Sequence, residues 1–150
     1  MALDLSAAAD LPCGIGRARA ELETLDDYPR WLGIVRDATR ADPSPDDRAP
    51  AWWVELGGRL GLIRRTKTVR MVRSVSNDTM IRFERRELDG RAHNDWILEV
   101  RLEPRGRDET GVAMAIHYGG DRRIPVVDAM LRAEVRRAGR RLVERVAAVG

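Results

Sequence analysis

The chain has 150 residues, of which 43% are hydrophobic and 34% charged. That length is one domain's worth and buries enough surface to fold without a disulfide or a metal. The composition excludes disorder through low hydrophobicity and excludes a helical membrane protein, and the formal net charge is only +3.

The charge is uneven. Residues 121–150 carry eight arginines against four acidic residues, which leaves the first 120 residues with one negative charge in excess. Lys67 is the only lysine and Cys13 the only cysteine. No intrachain disulfide can form, no Cys/His cluster has zinc spacing, and neither metal nor cofactor is expected. Residues 1–10 lack the positive start of a secretory signal, and no stretch approaches the roughly 18 apolar residues of a membrane span. The expected location is the cytoplasm, and the expected organisation is a single domain over 1–150.

In chain order, Leu3, Leu5, Ala7 and Ala9 alternate with polar or small residues, so 3–11 reads as a strand. Ile15, Ala18, Leu22 and Leu25 then fall at helical steps. Pro29 breaks that pattern and predicts a second short helix around Trp31. The Pro/Asp-rich stretch 41–51 has the length of a long hairpin loop.

From Ile34 to Tyr118 the period is two. Trp52, Val54 and Leu56 alternate with Trp53, Glu55 and Gly57; Val69 and Met71 alternate with Arg70 and Val72. Ile81 and Phe83, then Trp96, Leu98, Val100 and Leu102, then Val112, Met114, Ile116 and Tyr118 repeat the pattern. Turn clusters at 76–78, 88–90, 106–108 and 119–120 separate the runs. This predicts an antiparallel meander with one apolar and one polar face. Ile124, Val127, Leu131, Val135, Ala138, Leu142 and Val146 return to helical spacing, with Pro125 suited to a first turn. That helix is about 24 residues, or roughly 36 Å. Helix and sheet each have one apolar side, and packing one on the other buries both.

This order of elements resembles the START-like (SRPBCC) superfamily, and within it the polyketide cyclase/dehydrase and lipid-transport group. The segment Asp26-Asp27-Tyr28-Pro29-Arg30-Trp31-Leu32 looks like the stretch that ends the family's first helix pair, and the resemblance covers nearly the whole chain. It implies an α+β helix-grip fold: a curved antiparallel sheet wrapped around the long C-terminal helix, with two short helices after the first strand. Two segments depart from the family's pattern: Arg17-Ala18-Arg19 makes the first helix unusually polar, and the loop over 41–51 is long.

Parity and resemblance together imply a hydrophobic cavity. Its expected wall on the sheet is Trp52, Met71, Ile81, Phe83, Trp96 and Leu98, continued by Met114, Ile116 and Tyr118. Trp31 precedes the meander, and Val127, Met130, Leu131 and Val135 come from the helix. Large rings and adaptable methionines are what line pockets for apolar ligands. Arg64 and Thr66 are further polar candidates whose parity the pattern leaves open.

Signals for chemistry are weak. Gly14 and Gly16 begin a dinucleotide fingerprint that fails at Arg19, so they read as a tight strand-to-helix turn. His93 and His117 fall on the outward parity and read as solvated. Cys13 sits where a helix dipole would lower a thiol pKa, yet has no partner nearby in sequence. No catalytic residue is assigned. Binding or transport of a lipid or polyketide-like molecule is the first expectation. The alternative is a cyclase or dehydratase that folds a poly-carbonyl chain by proximity, with Tyr118 as its acid. A further alternative uses the helix arginines. Arg132, Arg136 and Arg140 form one row at steps of four; Arg137, Arg141 and Arg145 form another. Only Asp128 with Arg132 and Glu144 with Arg140 are expected to relieve their repulsion. Such a face suits an anionic membrane or an acidic protein. Nucleic acid is not expected, since no aromatic platform interleaves with these arginines.

Overall fold

The computed structural model describes residues 3–46, 48–60, 63–120 and 125–149, and of these only the backbone at 58–60, 63–65, 125–128, 130 and 149. Strand β1 (Leu3–Leu11) leads into helix α1 (Ile15–Leu22) and a short 3-10 helix (Leu25–Arg30). Strands β2 (Val35–Ala41), β3 (Ala51–Leu60), β4 (Ile63–Ser76), β5 (Met80–Arg85), β6 (Trp96–Pro104) and β7 (Thr110–Tyr118) follow. Helix α2 (Pro125–Val149) ends the described chain.

The strands form one antiparallel sheet in the order β1-β7-β6-β5-β4-β3-β2. Five hairpins build β2 to β7, and β1 returns to pair with β7, with Leu3 opposite Tyr118 and Leu11 opposite Thr110. Register shifts between Val35 and Asp37 and between Arg73 and Val75 mark bulges, which bend a strand and increase its twist. The inward parity holds across the meander: Val54, Val69, Ile81, Phe83, Val100 and Val112 are buried in one core with Val135, Ala138, Leu142 and Val146 of α2. The arrangement is the helix-grip fold that the resemblance implies.

Three expectations change. The second short helix ends at Arg30, before Trp31, and contains Pro29. The 3-10 turn has a φ that proline already holds, so Pro29 is accommodated. His93 lies in the loop before β6 and is not part of a strand. Most consequential is the outer face of β4. Arg70 and Val72 take the polar parity, yet they are 2% and 3% exposed. The chain leaving β2 reaches over them: Arg70 Nη2 donates to the Asp42 carbonyl at 2.8 Å, and Nη1 to the Arg86 carbonyl at 3.1 Å. The long 41–51 segment thus serves as a cover for the outer face as well as a hairpin loop.

Between β1 and α1 the chain turns at Gly14. A Cβ there would stand 2.7 Å from the Arg107 carbonyl oxygen, so the close approach of two main chains requires glycine. Arg73 donates to the Glu23 carbonyl at 2.6 Å and satisfies an acceptor at the end of α1.

Candidate functional site

The site is built where α2 crosses β1 and β7. Ala7 and Ala9 are small residues on the inward side of β1, and Gly139 lets α2 come close: a Cβ on Gly139 would meet the Ala9 Cβ at 3.7 Å. A cavity of about 20 Å³ remains there. Its walls are Ala7, Ala8 and Ala9 of β1, Val112 and Met114 of β7, Trp31, and the α2 residues Val135, Ala138, Gly139 and Leu142. The walls are almost wholly apolar. Trp31 is 1% exposed, and its N–H is buried with no hydrogen-bond partner among the described residues.

The Trp31 ring continues into an aromatic cluster. It lies 4.5 Å from Tyr28, which meets Phe83 edge-on at 5.9 Å; Phe83 meets Trp52 edge-on at 5.6 Å. Tyr28 donates its hydroxyl to the Leu22 carbonyl at 2.8 Å, and burial pushes that phenol far above its ordinary value. A second aromatic pair lies where β6 meets β7. Trp96 stacks on Tyr118 at 4.6 Å with the planes 31° apart, and the Trp96 N–H is also buried, with no hydrogen-bond partner among the described residues. Asn94 donates to the Tyr118 hydroxyl at 3.5 Å. Gly120 lies directly against the Tyr118 ring, where any Cβ would collide with it.

Of the expected wall residues, Trp31, Met114 and Val135 meet at the cavity. Trp52, Met71, Ile81, Phe83, Leu98 and Ile116 lie in the surrounding core, with Trp96, Tyr118 and Leu131 packed partly buried against it. The side chains of Val127 and Met130 lie outside the described residues, as does that of Arg64, and Thr66 is exposed. The sequence reading missed Ala7, Ala9, Ala138 and Gly139 as walls. The signal was present, since all four are small residues where a strand's inward parity meets a helix stripe.

His117 and His93 are on the surface side. His117 Nδ1 is 2.6 Å from Asp4 Oδ1. Burial raises the Cys13 thiol above its ordinary value, ahead of a smaller opposite effect of Arg17, which corrects the expectation of a dipole-lowered thiol. The two arginine rows of α2 also differ from expectation. Arg137 and Arg141 pair with Glu134 on the helix itself, and Arg145 reaches Glu21 of α1 and Asp27 of the 3-10 helix. Arg132, Arg136 and Arg140 are exposed, and Arg140 makes no ion pair with Glu144 among the described residues. Asp128 lies outside the described side chains. No described helix is long and apolar enough to cross a membrane, and no described cluster of His, Cys, Asp and Glu could hold a metal.

No family model and no curated protein matches the sequence. Solved structures do match the fold. A START superfamily protein from Mycobacterium smegmatis superposes with a TM-score of 0.71 at 13% identity, covering 98% of this chain and 99% of that one. A Thermus thermophilus protein superposes at 0.69 with 16% identity and 99% of both chains covered. The Zhui aromatase/cyclase of a Streptomyces species gives 0.62 at 13% identity, covering 99% of this chain and 93% of that one. At these identities the likeness is one of fold, and the chain has the helix-grip fold of START-superfamily structures.

Proposed function

We propose that the protein binds an apolar small molecule between its sheet and α2. The observation that carries this reading is the apolar cavity at the β1–β7–α2 junction, one of whose lining residues, Trp31, has a buried N–H with no hydrogen-bond partner among the described residues. An orphaned buried donor costs about 1–3 kcal/mol. A ligand oxygen placed against it would recover that cost, so the ligand is an apolar body with a hydrogen-bond acceptor. A space of about 20 Å³ holds roughly one water. A larger ligand therefore enters by moving α2 away from β1 and β7, and the small residues at Ala9, Ala138 and Gly139 set where that separation occurs.

Binding without turnover is the reading we keep. Tyr118 is the acid that a cyclase would use, and its hydroxyl has Asn94 as partner, with no acidic or basic side chain bonded to it among the described residues. The neutral fluorescent probe N-phenyl-1-naphthylamine tests the proposal. Saturable binding should be lost in Ala138→Phe, which fills the cavity, while far-UV circular dichroism confirms the fold. Trp31→Phe removes the donor and enlarges the apolar space, so it should weaken an acceptor-bearing ligand such as 2-decanone and spare the probe. Equal probe binding by Ala138→Phe and the parent protein would sink the proposal.

A further inference from the structure

A second recess lies on the other side of β4, away from the core cluster. It has a volume of about 360 Å³, which falls in the range of small-molecule pockets. Arg70 and Val72 form its floor. The loop after β5 forms its far wall through Arg86, Leu88, Arg91 and His93.

Three acidic groups near this recess, Glu84, Glu87 and Asp89, are each engaged by other groups. Glu87 Oε1 accepts from Arg85 Nε at 2.9 Å and from the Arg70 backbone N–H at 3.2 Å. Glu84 lies 3.6 Å from Arg86. Asp89 accepts from His93 Nε2 at 2.8 Å and from the Arg91 backbone N–H at 3.0 Å. His93 Nδ1 faces Arg85 Nη2 at 3.2 Å.

Two of the lining arginines have no ion-pair partner among the described residues. The Arg70 guanidinium is buried, its hydrogen bonds go to main-chain carbonyls, and no carboxylate lies within ion-pair distance among the described residues. Arg91 is exposed at the rim and likewise has no ion-pair partner among the described residues. A buried charge without a counter-charge is costly, and an anion entering the recess would relieve it. Burial, helped by the Arg85 charge, also lowers the nearby Lys67 ammonium below its ordinary value. Beside these charges Val72 is buried and Leu88 is 60% exposed, so one wall is apolar.

We propose that this recess binds a small phosphomonoester with an apolar substituent. Two uncompensated guanidinium groups match the dianion, with Arg70 below and Arg91 above it. Val72 and Leu88 take the apolar part. The site is independent of the cavity under α2.

Phenyl phosphate is the probe, titrated by calorimetry at low and at raised salt. One molecule should bind per chain, with affinity falling as salt rises. Arg91→Glu changes an exposed side chain, so it should fold, and it should weaken binding at least tenfold, about 1.4 kcal/mol. Leu88→Asp should weaken phenyl phosphate more than inorganic phosphate. Trp31→Phe should leave the titration unchanged. Absence of saturable binding, or equal affinity in Arg91→Glu, would overturn the site. Benzoate binding as tightly as phenyl phosphate would overturn the dianion, and inorganic phosphate binding as tightly would overturn the apolar wall.

Discussion

Trp52 donates its indole N–H to Asp26 at 2.6 Å, joining a ring with no solvent exposure to a carboxylate at the surface. Arg40 lies over the same ring at 4.6 Å, and its Nε is 3.8 Å from the same carboxylate. Asp26 therefore satisfies the one polar atom of a large core residue and also holds the cation that covers it. Asp26→Ala would strand a buried donor and should cost about 1–3 kcal/mol in urea unfolding. Asp26→Asn keeps an acceptor and should recover most of that loss. Equal losses in the two variants would assign the effect to Arg40 instead.

Two glycines five residues or fewer from the end of β1 should respond in opposite directions. Gly14→Ala places a Cβ 2.7 Å from a main-chain oxygen that cannot swing aside, and overpacking of this kind costs about 1–3 kcal/mol. Gly16 lies inside α1 with nothing within 4 Å of its Cβ position. There alanine should stabilise by about 0.5–1 kcal/mol through helix propensity. Thermal unfolding of the two single variants reads both signs.

Cys13 gives a pH dependence. Burial raises the folded thiol above its ordinary 9.0, so the native state keeps its proton longer than the unfolded chain does. Its contribution to stability is complete below 9.0 and declines as pH rises from there through the folded value. Cys13→Ala should lack that alkaline decline. At neutral pH, iodoacetamide should modify Cys13 more slowly in the native protein than in urea.

What was legible in the sequence was whatever obeys a period. The bounds of β1, the inward set Trp52, Phe83 and Val112, and the α2 stripe through Val135, Ala138 and Leu142 all follow from alternation or helical spacing. What was not legible depends on a second segment. Arg70 reads as a solvated strand residue until the chain at Asp42 crosses above it. Arg145 reads as one more helix arginine until Glu21 and Asp27, over a hundred positions earlier, come into reach. The cavity was legible as an apolar interior, whereas its location needed the crossing of α2 over Ala9. The outer recess left no signal, because its charges are uncompensated only in three dimensions.

The pairing of β1 with β7 has a consequence for how the chain acquires its structure. Asp4 and His117 meet across the ladder although they are 113 positions apart. The other ladders are closed by local hairpins, each with a small loop-closure entropy, whereas β1 must wait for nearly the whole meander. The first of these strands to leave the ribosome is therefore the last to be paired, and until then the inner face near Met114 and Ile116 has no edge strand beside it. A deletion of β1 should leave a partly ordered sheet that aggregates through β7, and the same strand supplied as a peptide should restore solubility.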